Sequence, residues 1–325
     1  NKLPGLSRTH RLWLPFYPAI FGMLGRSIGK ADIVIVDSSA WSHHAWPGPG
    51  IPTICYCHSP ARFLYGDPEY LGATRGHRLA GPLSRFAFAP LRWLDRRAAR
   101  RVTRYVANSA AVAARIERAY GIIASVVYPP VDVERFRPMR IVPPEDWFLV
   151  VSRLVPHKWI DRAVRAANAS GHHLKVIGEG RALPELRRIS GPTVEFLGAL
   201  PDADVVDYMR RCRALILPGV EDFGMTAVEA QAAGRPVIAA RGGGTLETVV
   251  DGKTGLFFDP EDNESLPEAM MAVVGRSWDA GVILKNAARF APERFMQEIE
   301  AQIAQVRAPT TRDGPEAAGN GGARP

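Results

Sequence analysis

Between residues 147 and 250 the sequence alternates between short apolar runs and stretches that read as helical. The runs are WFLVVS (147–152), HLKVIG (173–178), VEFLG (194–198), ALILP (214–218) and PVIAA (236–240). The segments between and after them, 160–169, 181–189, 202–211, 225–233 and 244–250, predict helices. Near-continuous apolar runs suit strands buried on both faces, and parallel strands need a crossover that is usually a helix. This half of the chain is therefore restricted to an α/β architecture, a doubly wound parallel sheet with ligands at the carboxyl ends of its strands. Two further helices are predicted at 264–275 and 281–306.

The preceding half repeats the theme less regularly. DIVIVDS (32–38) and IPTICYC (51–57) read as buried strands, Val106–Ala107 ends another, and 85–102 and 109–120 read as helices. Ser109 suits the N-cap of the second helix and Gly121 its C-terminal stop. Pro129, Pro130, Pro138, Pro143 and Pro144 then break regular structure, which puts a domain boundary between them. A chain of 325 residues is long for one core. The expected division is a first domain over 1–138 and a second over 139–280. A helix over 281–307 should return toward the first domain, followed by a disordered tail over 308–325 rich in Gly, Pro, Ala and charge. No short-period repeat is present.

No apolar run approaches the ~20 residues needed to span a bilayer. Cys55, Cys57 and Cys212 are too few for a disulfide framework, so a reducing, cytoplasmic setting is expected. The net charge of +8 points to an anionic partner. Residues 75–104 hold nine arginines against one acid, Asp95, with Phe86, Phe88, Leu91, Trp93 and Leu94 interleaved. Such a stretch is either a solvated basic helix or a face that docks on anionic lipid at the inner side of a membrane. Nucleic acid would account for the arginines but not for the groups described next.

The densest chemistry lies in Glu221-Asp-Phe-Gly-Met-Thr-Ala-Val-Glu229, after the fourth strand of the second half. Gly224 lets backbone approach a ligand, and the helix beginning there offers unpaired N–H groups and a positive dipole end to a diphosphate. Glu229, further along that helix, can accept hydrogen bonds from ribose hydroxyls. The same residues also fit an ordinary amphipathic helix stopped by Gly234. Ser152-Arg153-Leu-Val-Pro-His157-Lys158 follows the first strand of this half. Arg153 can grip phosphate oxygens bidentately and Lys158 adds a point charge, although a solvated basic loop would look the same. Gly242–Gly244 allow close passage of backbone or a left-handed turn. In the first half, alternation along the strand separates Cys57 from His58, and no second ligand pair has suitable spacing, so no metal site is expected. The pairs His43–His44 and His172–His173 read as structural.

SRLVPHKWIDRAV, VIGEG, VEFLGALPDADVVDYMRRCRALILPGVEDFGMTAVEAQAAGRPVIA and GGGTLETVVDGKTGLFF resemble the donor half of family-4 retaining glycosyltransferases. CYCHSPARFLY, YVANSAAVAARIERAYG and VYPPVDVERFRP resemble the acceptor half of the same family, in its mannosyltransferase-like branch. The resemblance spans roughly residues 10–300. It implies a GT-B fold, two Rossmann-like doubly wound domains facing across a cleft. It also implies that Arg153 and Lys158 hold the donor diphosphate, Glu229 the ribose and Glu221 the transferred sugar. Backbone at Phe223, Gly224 and Met225 would lie near sugar and phosphates, with Thr226 and Ser152 completing the donor site. Gly178 and Gly180 would face the base, and His58 would lie beside the sugar from the acceptor side.

On that resemblance the chain moves a hexose, mannose favoured, from a nucleotide-diphosphate sugar to a glycan or lipid-linked acceptor. GDP-mannose is favoured over UDP-sugars as co-substrate, with no metal or other cofactor. Negative charge growing on the leaving phosphate would be met by Arg153, Lys158 and the helix N-terminus. No carboxylate stands out as a nucleophile, so same-face attack is expected, with the leaving phosphate taking the acceptor's proton. The family opens with a strand and a glycine-rich loop that nothing before residue 32 supplies, so the first domain reads as N-terminally incomplete. A non-catalytic nucleotide-sugar-binding module and a GT-B-type epimerase or hydrolase stay open as alternatives.

Overall fold

The computed structural model describes residues 16–65 and 88–307. The expected disordered tail over 308–325 and the start of the arginine-rich stretch, with Arg75, Arg78, Arg85 and Phe86, lie outside them.

The first domain is built on a parallel four-stranded sheet in sequential order: β1 (Val34–Ser38), β2 (Thr53–Cys57), β3 (Arg104–Ala107) and β4 (Ser125–Val126). Alternation along β2 divides its side chains between two cores. Cys55 and Cys57 pack with Ala107, Val112 and Ile116 on one face, while Ile54 and Tyr56 pack with Val106 and Val127 on the other. Around the sheet lie α1 (Tyr17–Arg26), α2 (Arg62–Tyr65), α3 (Ala89–Ala99) and α4 (Ala110–Tyr120). The ends of α4 follow from its sequence. The Ser109 hydroxyl accepts from the Val112 N–H, and Gly121 closes the helix at a φ of 70°.

The proline-rich segment is not wholly irregular. Asp132 caps one helical turn, α5 (Val133–Phe136), whose Val133 and Phe136 enter the core of the second domain. The second sheet comprises β5 (Trp147–Val151), β6 (His173–Ile177), β7 (Val194–Gly198), β8 (Leu215–Leu217), β9 (Val237–Ala240) and β10 (Gly255–Phe258). All pairings are parallel, in the order β10-β9-β8-β5-β6-β7. The chain thus starts mid-sheet, winds outward through β6 and β7, and returns to place β8 on the other side of β5. That reversal opens a crevice at the carboxyl ends of β5 and β8, where ligands bind in open α/β sheets. Helices α6 (Ile160–Ser170), α7 (Leu183–Ile189), α8 (Asp202–Arg211), α9 (Met225–Ala232), α10 (Thr245–Thr248) and α11 (Ser265–Val274) cover both faces.

The expected single helix over 281–306 is two helices. α12 (Ala280–Ala287) runs into a short 3-10 turn at Ala288–Phe290 and Ala291 turns extended, before α13 (Pro292–Arg307) begins on a proline. Proline at a first helical position loses no hydrogen bond, whereas mid-helix it would break one. Beyond the break, Phe295, Ile299, Ile303 and Val306 pack against Ile54 and Tyr56 of the first sheet. The segment 244–250 holds only the four-residue α10, since Val249 is extended.

Candidate active site

Both motifs picked out by chemistry lie at the β5–β8 crevice. After β5, the Ser152 N–H donates to the Ile177 carbonyl at 3.0 Å and the Leu154 N–H to the Glu179 carbonyl at 2.8 Å. This lacing brings the 152–154 backbone so close to the 178–180 loop that side chains there are impossible. A Cβ on Gly178 would lie 1.9 Å from the Ser152 carbonyl oxygen, and one on Gly180 would lie 2.2 Å from that of Leu154. The glycines therefore answer first to the close packing of the 152–154 and 178–180 backbones.

The chain then makes a 3-10 turn over Pro156–Lys158 and reverses through Trp159 at a φ of 50°. The Arg162 guanidinium lies 3.7 Å from the centre of the Trp159 ring and caps this left-handed residue. The turn aims Lys158 across the crevice, where its ammonium donates to both oxygens of Glu221 at 2.7 Å. Gly219, after β8, allows this approach, because a Cβ there would lie 3.0 Å from the Lys158 carbonyl oxygen.

Gly224 takes a φ of 87° and starts α9 without a side-chain cap. The first-turn N–H groups of Met225 and Thr226 thus face the crevice end of the helix, where such groups bind anions. The Glu221–Phe223 backbone is backed by the glycine run. Residue 243 bridges to Glu221, and a Cβ on Gly244 would lie 2.3 Å from the Asp222 carbonyl oxygen. Glu229, further along α9, is half-buried and forms no side-chain hydrogen bond or ion pair among the described residues. Burial pushes its carboxyl above the ordinary range, against the pull of Arg135, with Asp202 adding to the rise.

The electrostatics of the crevice are recorded by His157. Burial, and then the positive charges of Lys158, Arg62, Arg153 and Arg181, push its imidazole down to about 4. Burial is the larger cause, but positive charges gathered at one place favour an anion there. Arg153 itself is exposed at the mouth of the site, and the Ser152 hydroxyl donates to its carbonyl oxygen.

From the first domain, His58 sits just beyond β2 with its Nε2 2.6 Å from an Asp37 carboxylate oxygen. The Tyr56 ring meets it edge-on at 5.2 Å, which keeps it on the face opposite the buried Cys57. The first domain also reaches the donor loop directly. Arg62 of α2 and Arg115 of α4 both donate to the Asp222 carboxylate, and the Ser109 hydroxyl donates to the Asp222 carbonyl oxygen. Glu247 accepts from the N–H groups of Ala110 and Ala111 at 2.8 and 3.3 Å, at the start of α4. Arg62, Arg115, Asp222 and Asp37 did not stand out in the sequence. Arg62 follows His58 in the run HSPAR, and that proximity was the available signal.

A second polar cluster lies away from the crevice. His43 and His44 place their Nε2 atoms 3.0 and 3.1 Å from one carboxylate oxygen of Asp95, and the Tyr65 hydroxyl donates to the other at 2.7 Å. His43, His44 and Asp95 form a group of potential metal ligands within 4.8 Å of one another. Burial pushes the Asp95 carboxyl up, but the adjoining His43 and His44 imidazoles and the Tyr65 hydroxyl outweigh it and hold the group well below the carboxylate range. The cluster shares no residue with the crevice and ties α3 to the turn at Ser42–His44.

The arginine-rich helix is more selective than its sequence suggests. Asp95, its sole acid, is buried, so the exposed face of α3 is basic. Phe88 does not face outward: it packs against Phe63 and the cluster of Trp41, Ala61 and Leu64. Arg96 donates to the Ala119 carbonyl oxygen at 2.9 Å. Trp93 and Leu94 are exposed and line one cavity with Met23 of α1, itself exposed. No helix among the described residues is long and apolar enough to cross a membrane.

Residues 2–135 match the family model Glycosyltransferase Family 4, and residues 134–289 match Glycosyl transferases group 1. An uncharacterized glycosyltransferase of Methanocaldococcus jannaschii is 30% identical over 44% of this chain, which spans 42% of that protein's length. A GDP-mannose-dependent alpha-(1-6)-phosphatidylinositol monomannoside mannosyltransferase of Mycolicibacterium smegmatis is 29% identical, covering 80% of this chain and 75% of that protein. Among solved structures, Anabaena Alr3699/HepE in complex with UDP superposes with a TM-score of 0.67 at 19% identity, covering 90% of this chain and 82% of that one. Two parallel-sheet domains, a switch-point crevice and a matching family model for each half give this chain the GT-B glycosyltransferase fold, its first half similar to family 4 and its second to group 1.

Proposed function

We propose that the protein is a retaining, metal-independent glycosyltransferase. It moves a hexose, with mannose favoured, from a nucleotide-diphosphate sugar to a glycan or lipid-linked acceptor. The observation that carries this reading is the cation cluster around His157, facing an uncapped helix N-terminus at the switch point of the second sheet. A diphosphate placed there meets Arg153 and Lys158 on one side and the N–H groups at Met225 and Thr226 on the other. Glu229 takes the ribose, Glu221 the sugar hydroxyls, and the loop at Gly178 and Gly180 lies against the base. His58, oriented by Asp37, approaches the sugar from the acceptor side. GDP-mannose is favoured because a GDP-mannose-dependent enzyme covers most of both chains. The test is incubation with GDP-mannose and UDP-glucose, with and without acceptor, following nucleotide release. Release that depends on acceptor supports transfer. Release into water alone would mean a hydrolase, and binding without release a non-catalytic module.

Charge on the leaving phosphate is met by side-chain cations and the helix end, so transfer should survive EDTA. Loss of transfer in EDTA, restored by magnesium or manganese, would contradict this. Those ions prefer oxygen ligands, so the outcome is distinct from stripping a nitrogen-ligated ion at the His43–His44–Asp95 cluster.

The reading extends to a lipid surface. Exposed Trp93, Leu94 and Met23 line one cavity with Arg26, Arg97 and Arg101, an apolar and basic face across α1 and α3. Each basic residue near an anionic surface contributes about 1 kcal/mol. Co-sedimentation should occur with vesicles containing anionic lipid, weaken with salt, and weaken further in Arg97→Glu/Arg100→Glu. Equal recovery in the supernatant with anionic and neutral vesicles would leave a non-lipid acceptor.

A further inference from the structure

We propose that Asp222 is a positioning residue that couples closure of the two domains to the placement of Glu221 on the donor sugar. The inference rests on the reading of Glu221 given above. Its physical basis is the way the 221–224 loop is held. Glu221 is fixed by the second domain, through Lys158 and the bridge to residue 243. Phe223 is buried in the second domain's core, its ring 5.7 Å from Tyr128 and 5.4 Å from Phe290. Between them, Asp222 turns the other way and is held by the first domain. Its carboxylate takes Arg62 and Arg115, and its carbonyl takes the Ser109 hydroxyl.

The three charged side chains are 20, 15 and 25% exposed for Arg62, Arg115 and Asp222. At that degree of burial, loss of one partner is costly because the remaining charges stay partly desolvated. Glu247 supplies a second attachment, its carboxylate on the positive N-terminal end of α4. Two acids of the second domain thus receive the first turn of α4 and two arginines. Both attachments need the domains together, and one of them lies within the loop that presents Glu221 and starts α9. Separation of the domains would release the middle of that loop while its ends stayed fixed. The loop that carries the sugar-facing carboxylate is therefore held from both domains only when the first domain, with its acceptor side, has closed, and is otherwise tethered at Glu221 and Phe223 alone.

The experiment uses the full chain. Asp222→Asn keeps size and removes the charge that both arginines share. Turnover is expected to fall about 10- to 100-fold, the scale of a small misplacement of a catalytic group. GDP affinity by calorimetry is expected to stay within about twofold, because the phosphate and ribose contacts are intact. Asp222→Asn/Arg115→Gln should be no worse than Asp222→Asn alone. Interdomain distance, read by energy transfer between dyes at Ile123→Cys and Met271→Cys, both exposed sites, should lengthen or broaden in Asp222→Asn. The native cysteines are all buried and would not label. Wild-type distance in Asp222→Asn, or a changed distance with wild-type turnover, would overturn the proposal. If the wild-type protein transfers no sugar, the failure lies with the proposed function, and the distance measurement still decides the latch. A lower melting temperature with unchanged distance would mark Asp222 as structural only.

Discussion

Arg153→Ala and Lys158→Ala are each expected to lower kcat by roughly 100- to 1000-fold, the cost of removing one group aimed at transition-state charge. Donor KM should change far less, because the leaving phosphate carries its greatest charge in the transition state. Lys158 should be the more damaging of the two. Its ammonium lies inside the crevice and holds both oxygens of Glu221, so its loss frees the sugar-facing carboxylate as well as removing a charge. Arg153 sits exposed at the mouth, and in the proposed site it would close on the diphosphate when donor binds. Steady-state kinetics checks both: wild-type kcat in the two variants would remove the phosphate from this loop.

The second large effect is expected at Glu229. Glu229→Ala should weaken binding of the nucleotide itself by about 1.5–3 kcal/mol, the value of a hydrogen bond to a charged group. That corresponds to roughly a tenfold to more than a hundredfold loss of affinity. Unchanged affinity for GDP in titration calorimetry would remove Glu229 from the site. The same residue should reveal its role through stability. Burial raises its carboxyl in the folded state above the ordinary 4.5. The folded chain then holds the proton more tightly than the unfolded chain, so the stability tied to this group is present at low pH and is lost as pH rises through the raised value. Glu229→Gln should accordingly melt higher than the wild type at neutral pH, with the difference vanishing below about pH 4.5. A residue that weakens the fold while strengthening ligand binding is the pattern expected of a functional group.

Much of the second domain was legible because its local signals agree. The central strands β5, β8 and β9 are buried apolar runs, and helices such as α6 and α8 keep a buried and an exposed face. Ser109 and Gly121 mark the ends of α4 by chemistry that does not depend on distant residues. The missed elements are those whose local signals conflict. α5 lies between prolines and is held by burial of Val133 and Phe136 in a distant core. The break before α13 was signalled by Pro292, but the apolar pattern continues across it.

The site was legible one motif at a time and not as an assembly. The strand order that brings the loops after β5 and β8 together depends on the Leu149–Leu215 pairing, which nothing local encodes. The contacts of Asp222 with Arg62 and Arg115 join residues 160 and 107 apart in sequence. The Asp37 partner of His58 comes from the neighbouring strand. On α3 the arginines look equivalent in sequence, but only the helix's orientation separates Arg96, bonded to the Ala119 carbonyl, from Arg97 beside exposed Trp93.

The cation cluster can be read directly through His157, whose imidazole burial and the surrounding positive charges push down to about 4. A diphosphate seated between Lys158 and Arg153 would cancel part of that field and raise the value. The measurement is an NMR titration of the His157 ring proton between pH 5 and 7, assigned with His157→Gln, in the absence and presence of saturating GDP. The free protein should show a neutral imidazole across this range. With GDP the signal should begin to titrate within it, while guanosine, which lacks the phosphates, should have no such effect. An imidazole that stays neutral with GDP bound would place the diphosphate elsewhere and contradict the proposed site.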